Sequence, residues 1–231
     1  ALFFYLCSKF NIKNKIISDV NKELINCYQV IKENHTKLLA ELETIQNFYN
    51  ALEDLEEKKE HFYYIRSEFN KNIQNIEYDK IQQAVYFIYL NKIGFNGLYR
   101  VNKKGLFNVP FGQRIKTSLF DKKNIENIAQ ILKDTTILHG DYQETRQFAN
   151  KNTLFYFDPP YRPISTSSSF TSYTESSFND KNQIALKEFC DEIKEQGAKI
   201  VLSNSDPIPN DPEDTFFDDL FKSYDIFRIQ A

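Results

Sequence analysis

The sequence predicts an α/β fold: an open sheet of parallel strands into which a helical and β-hairpin segment is inserted. Three observations carry that expectation. The apolar run Thr153-Leu154-Phe155-Tyr156-Phe157 alternates poorly, as a strand covered on both faces does, and it ends at Asp158-Pro159-Pro160-Tyr161, where two prolines forbid further helix or sheet pairing. Lys15-Ile16-Ile17-Ser18-Asp19 reads as a short strand ending in an acid, and Lys199-Ile200-Val201-Leu202-Ser203-Asn204 as another buried strand ending in small polar residues. Between the first of these and the Asp-Pro-Pro-Tyr strand lie long stretches of helical periodicity and a Gly-bearing turn, which fit an insertion.

In chain order, residues 1–10 continue as a first helix. The chain opens on Ala1-Leu2-Phe3-Phe4 with no capping or targeting signal, holds no Met, and reads as cropped at both ends. Asp19 closes the next strand. An acid there commonly binds ribose hydroxyls in a dinucleotide-type fold, and it equally suits a helix cap for residues 21–33; both readings stay open. Apolar positions recur at helical spacing over 24–50 and again over 80–92, which predicts core and scaffold helices. The acid-rich stretch 53–60 reads as an exposed helix face, and the polar, Asn-rich stretch 67–79 as a connection. Lys103-Lys104-Gly105, between Tyr99-Arg100-Val101 and Phe107-Asn108-Val109, reads as the turn of a β-hairpin leaving a helix end. A helix over 123–132 precedes Thr135-Thr136-Ile137-Leu138-His139-Gly140-Asp141-Tyr142, a strand then a turn, where Asp141 also suits a cap for residues 143–149. Beyond the tetrad, the Ser/Thr run 165–177 reads as a lid, 182–196 as a helix stopped by Gly197, and 223–229 as a further strand after a segment rich in Pro and Asp.

Composition narrows the function classes. A chain of 231 residues buries a sizeable core, and no stretch is apolar enough to span a membrane. Cys7, Cys27 and Cys190 are odd in number and widely spaced, and His35, His61 and His139 are scattered. This argues for a reducing cytoplasm and against a disulfide framework or a metal site. The formal charge of −3 argues against indiscriminate coating of nucleic acid, yet the charges are segregated. Residues 91–120 carry six basic side chains (Lys92, Arg100, Lys103, Lys104, Arg114, Lys116) and no acidic one, interleaved with aromatics and Asn. That pattern suits phosphate contact with polar and aromatic groups reaching bases, a solvated basic loop being the competing reading.

The tetrad suggests a reaction. In an open parallel sheet, ligands sit outside the carboxyl ends of the strands, where Asp158 and Tyr161 emerge. An exocyclic ring amine is a poor nucleophile because its lone pair is delocalised. The Asp158 carboxylate and the Pro159 carbonyl can each accept one amino hydrogen and favour the pyramidal nitrogen, which aims the lone pair at an electrophile. Tyr161 offers a flat face for a base taken out of the duplex. A plain Asp-Pro turn after a strand is the alternative.

Asn91-Lys92-Ile93-Gly94-Phe95-Asn96-Gly97-Leu98-Tyr99-Arg100-Val101-Asn102, continuing to Phe107-Asn108-Val109-Pro110-Phe111-Gly112, closely resembles the signature of the Dam-type (D12 class) DNA adenine-N6 methyltransferases, and Asp158-Pro159-Pro160-Tyr161 follows in the order that group shows. The resemblance implies a Rossmann-like S-adenosylmethionine-dependent methyltransferase fold with an inserted helical/β-hairpin target-recognition domain. Residues 1–46 and 134–231 would form the catalytic domain, and 47–133 the insertion. By position, Asp19 would bind the cofactor ribose, Asp141 and Tyr142 would border its adenine, and Asp158 would stand beside both cofactor and target. Asp158, Pro159, Pro160 and Tyr161 would form the catalytic turn. Phe95 would wedge into the stack or pack on a base, Asn96 contact phosphate or base, Leu98 meet a thymine methyl and Arg100 donate to guanine. Asn102, Lys103, Lys104, Pro110 and Arg114 would complete the DNA surface. Core packing is the competing reading for Phe95 and Leu98. The expected activity is methylation of adenine N6 in double-stranded DNA, in GATC, with a cognate restriction endonuclease as a candidate partner. Cytosine N4, an RNA base or a protein amide as substrate, or a catalytically dead DNA-binding relative, are the alternatives.

Overall fold

The computed structural model describes residues 2–75, 78–162 and 178–229. They form two units, Ala1–Tyr142 and Gln143–Ala231. The expected lid, residues 165–177, lies outside the described residues.

In the first unit, α1 (Leu2–Lys9) leads to β1 (Lys15–Asp19), and β1 pairs in parallel with β2 (Thr135–His139), Lys15 opposite Thr135 and Asp19 opposite His139. Between them run α2 (Lys22–Ala51), α3 (Leu55–Gln74), α4 (Lys80–Ile93), a 3-10 turn (Phe95–Gly97) and α5 (Lys122–Lys133). Asn21, whose Oδ1 accepts the N–H groups of Glu23 and Leu24 at 3.0 and 3.2 Å, caps α2, so the cap is not Asp19. The long helix α2 runs unbroken through residues 46–47 and serves two cores. From its first turns to beyond its middle it packs Val30, Leu38 and Leu42 against Ala84 and Val85 of α4 and Ile125, Ala129 and Leu132 of α5. At its far end Tyr49 joins Phe62, Ile65 and Phe69 of α3, Tyr89 and Ile93 of α4, and Phe107, Val109 and Phe111.

The expected connection over 67–79 is instead helix as far as Gln74, because Phe69 is fully buried in the second core and Ile73 packs against it, which outweighs the weak helix propensity of the surrounding Asn residues. The exposed acidic face at 53–60 has one inward residue. Lys58 is buried, its amino group donating to the carbonyls of Tyr49, at 3.0 Å, and Leu52, with Tyr49's ring 5.0 Å away. These carbonyls end α2 and have no further turn to accept from. Lys58→Met is therefore expected to lower unfolding free energy by about 1–3 kcal/mol, the cost of stranding buried acceptors, measured by denaturant titration.

The second unit pairs β3 (Leu154–Phe157) with β4 (Lys199–Leu202), again in parallel, Phe157 opposite Leu202. The strands were expected to be covered on both faces and to belong to one sheet. The described residues instead form two two-stranded sheets, and Leu154, Tyr156 and Val201 are 55%, 41% and 49% exposed. Phe155 and Phe157 point the other way, Phe157 edge-on to Phe189 of α6 (Asp180–Glu195). The alternation was hidden because the outward residues are themselves Leu, Tyr and Val. Asn179 begins α6 with a reciprocal capping box to Asn182. Gly197 stops it as expected, at φ +90°, with Ala198 N–H returning to Ile193 O at 3.1 Å. Beyond β4, α7 (Phe216–Leu220) follows a run of turns. Residues 223–229 are not the expected strand. No strand pairs with them among the described residues, Tyr224 N–H turns back to Phe221 O at 2.8 Å, and Phe227 and Ile229 are exposed, so no ladder holds them extended. No described helix is long and apolar enough to cross a membrane.

Candidate active site and nucleic-acid surface

At the carboxyl end of β3 the chain leaves the ladder where the sequence indicates, and Ser203 N–H closes on Phe157 O at 3.0 Å. That closure sets Ser203 beside Asp158. Ser203 Oγ donates to Asp158 Oδ1 at 2.9 Å and stands 3.1 Å from the Tyr156 hydroxyl. Asp158 is exposed and has no ion pair among the described residues. Tyr161 is half exposed, its ring open to a partner.

Behind the turn lies a polar clamp. Gln183, on the buried face of α6 and 0% exposed, donates Nε2 to Pro160 O at 3.2 Å and accepts Asn204 Nδ2 at 3.1 Å. Asn204 Oδ1 accepts the N–H groups of Arg162 and Ser205, and Ser205 Oγ donates to Arg162 O at 2.6 Å. The Arg162 guanidinium joins Asp180 at 2.9 Å and Asp214, and lies over the Phe216 ring. Its hydrogen bond to Asp214 holds that carboxyl below the ordinary carboxylate range. The sequence reading placed small polar residues near the site but did not single out Ser203, Asn204, Gln183 or Arg162. One signal was present: Gln183 occupies an inward position in register with Leu186, Cys190 and Ile193, where an apolar residue is the rule.

In the first unit, Asp19 and the Gly140-Asp141-Tyr142 turn emerge side by side, since Asp19 pairs with His139 and Gly140 N–H donates to Asp19 O at 3.2 Å. Asp19 Oδ1 accepts Asn21 N–H at 2.7 Å, which fixes the carboxylate's orientation, while Oδ2 accepts nothing among the described residues. Tyr142 opens a 3-10 helix to Phe148, in place of the α-helix for which Asp141 was the candidate cap.

The hairpin region is held from behind by helix side chains. Asn70 of α3 pairs with both backbone groups of Phe107, at 2.8 and 3.0 Å, and Arg66 donates to Val109 O. From α2, Asn50 does the same for Thr117, Gln46 accepts Leu119 N–H, and the Tyr49 hydroxyl donates to Arg114 O. Gly112 N–H donates to Ile93 O at 3.0 Å, and a Cβ on Gly112 would come within 2.6 Å of that oxygen, so only glycine permits the approach. The two arms touch by single antiparallel bridges, Val101 with Phe107 and Gly94 with Phe111, and are no continuous ladder. Asn102 makes the turn, its Oδ1 accepting Lys104 N–H and Leu106 N–H, so this oxygen is committed to the fold.

What this frame displays is polar, basic and aromatic. Phe95 and Leu98 are 50% and 47% exposed, which overturns the core-packing alternative for both. Asn96, Arg100, Lys103, Lys104, Pro110 and Arg114 are exposed as well, together with Ile115, which the sequence reading passed over. Asn96 takes a left-handed conformation, φ 53°, that swings the chain between Phe95 and Leu98. No cluster of His, Cys, Asp or Glu among the described residues suits a metal ion. Burial pushes the Cys27 and Cys190 thiols up to about 12, so neither is a nucleophile at neutral pH.

A family model described as D12 class N6 adenine-specific DNA methyltransferase matches residues 1–231. The chain is 40% identical over 231 residues to the type II methyltransferase M.MjaIII of Methanocaldococcus jannaschii, a match covering all of this chain and 77% of that protein. It is 33% identical over 233 residues to the type II methyltransferase M1.LlaDCHI of Lactococcus lactis subsp. cremoris, covering all of this chain and 75% of that protein. It is also 34% identical over 192 residues to the DNA adenine methylase of Vibrio cholerae, covering 83% of this chain and 65% of that one.

Proposed function

The chain belongs to the D12 class N6 adenine-specific DNA methyltransferase family, and from that premise we propose that it transfers a methyl group from S-adenosylmethionine to N6 of adenine in duplex DNA, at GATC. The observation that carries the mechanism is Asp158: a strand-end carboxylate, exposed, unpaired with any cation among the described residues, and held by one hydroxyl. Its Oδ2 and the Pro159 carbonyl take the two amino hydrogens of a swung-out adenine, and the nitrogen lone pair turns out of the ring plane. Tyr161 stacks on the base. Asp158 is not required to be a strong base, since the nitrogen gives up its proton only once the new bond has formed.

The residues at the end of β1 and β2 fit the methyl donor. Asp19 Oδ2 suits the ribose hydroxyls, and Asp141 and Tyr142 the adenine amino group and ring. S-adenosylmethionine supplies the electrophilic methyl when bound; the chain supplies the acceptors that orient it and its target. We assign residues 1–46 and 134–231 to the catalytic domain and 47–133 to recognition. Phe95, Asn96, Leu98, Arg100, Asn102, Lys103, Lys104, Pro110 and Arg114 form the DNA surface, and a restriction endonuclease cutting the same site is the expected partner.

The test is methyl incorporation into short duplexes. GATC is expected to exceed each single-base variant by about tenfold or more, since a wrong base pair costs roughly 1–3 kcal/mol. Equal incorporation would reject GATC, and N4-methylcytosine as the product would reject adenine.

A further inference from the structure

An amino group brings two hydrogens, but the Asp158 carboxylate and the carbonyls of the two prolines alone offer four candidate acceptor oxygens. Two of the four are occupied by the protein itself. Ser203 Oγ donates to Asp158 Oδ1 at 2.9 Å, and Gln183 Nε2 donates to Pro160 O at 3.2 Å. Asp158 Oδ2 and Pro159 O accept no hydrogen bond from any described residue. We infer that Ser203 and Gln183 are positioning residues that mask two of these acceptors, so that of the four oxygens Asp158 Oδ2 and Pro159 O are the pair left open to the amine by the described residues.

Both residues are themselves fixed. The Tyr156 hydroxyl lies 3.1 Å from Ser203 Oγ, and with Ser203 donating to Asp158 it is Tyr156 that donates to Ser203, giving a chain of hydroxyls that ends on the carboxylate. Gln183 is fully buried and its Oε1 accepts from Asn204, so the amide has one orientation: oxygen toward Asn204, nitrogen toward Pro160. A free carboxylate rotates about its Cβ–Cγ bond and offers either oxygen; one tied at Oδ1 does not. The effect falls on orientation of the attacking nitrogen, thus on turnover and not on duplex affinity. This inference rests on the proposal that Asp158 and Pro159 grip the amine.

Three variants separate the two ideas: Ser203→Ala, Ser203→Thr and Asp158→Ala, each assayed for single-turnover methyl transfer, KM for the duplex, and thermal unfolding. Ser203→Ala is expected to lower kcat on the order of tenfold, with KM and unfolding temperature unchanged, and Ser203→Thr, which keeps the hydroxyl, to restore it. If Ser203→Ala turns over like the wild type while Asp158→Ala is inactive, the masking idea is overturned and the amine grip stands. Loss that Ser203→Thr does not rescue, or that tracks a lower unfolding temperature, overturns it too, since it marks a purely structural role. An active Asp158→Ala enzyme overturns the underlying reading itself.

Discussion

Asp158→Ala is expected to cut methyl transfer by about 100- to 1,000-fold, the scale seen when one preorganised hydrogen-bonding partner of a reacting group is removed. Duplex binding and folding are expected to survive. Asp158 is exposed, is not in an ion pair among the described residues, and takes one side-chain hydrogen bond, from Ser203, so removing the carboxylate strands only a hydroxyl that water can reach. Recognition is assigned to other residues, between Phe95 and Arg114, anchored by α2 and α3. Single-turnover kinetics beside fluorescence anisotropy on the same labelled duplex separates the two quantities. Wild-type turnover by Asp158→Ala would remove the proposed chemistry; loss of binding equal to the loss of rate would assign Asp158 to recognition.

Some of this was legible in residues because chain chemistry punctuates it. Pro159-Pro160 ends β3 whatever surrounds it, Gly197 alone accepts φ +90° at the end of α6, and Lys15–Asp19 is the strand at the bounds its composition gives. What stayed hidden depends on partners distant in sequence. Residues 67–74 look like a connection until Phe69 finds its place in the second core. Residues 223–229 have strand composition but no strand to pair with among the described residues. The burial of β3 was overestimated because its outward Leu154 and Tyr156 are as apolar as a core strand's. At the site, Asp158 could be named from its tetrad, whereas its contact with Ser203 follows from the β3–β4 register, in which Phe157 faces Leu202, and no local pattern encodes that register. Gln183 was passed over for a related reason. Read as a helix residue it is unremarked, and its contacts exist only once Pro160 and Asn204 close around it.

Arg100→Ala is expected to relax base selectivity at one position by about 1–3 kcal/mol, roughly tenfold to a hundredfold, with little change in affinity for unrelated DNA. The geometry supports giving that proposed discrimination to this arginine and not to its basic neighbours. Arg100 Nε donates to Asn108 Oδ1 at 2.8 Å and Nη2 reaches Asn108 O at 3.4 Å, so the guanidinium is braced across the hairpin with donors left for the two acceptors of a guanine edge. Lys103 and Lys104, at the exposed tip of the turn, have no such brace among the described residues and suit phosphate. Lys103→Ala should therefore weaken binding to every sequence alike and reduce the salt slope by about one ion, leaving the ratio between sites intact. Competition between GATC and duplexes with its guanine replaced, run at two salt concentrations, distinguishes the two behaviours. An Arg100→Ala enzyme that loses affinity uniformly and keeps its site preference would move Arg100 to the phosphate-binding set and leave the reading of guanine to another residue.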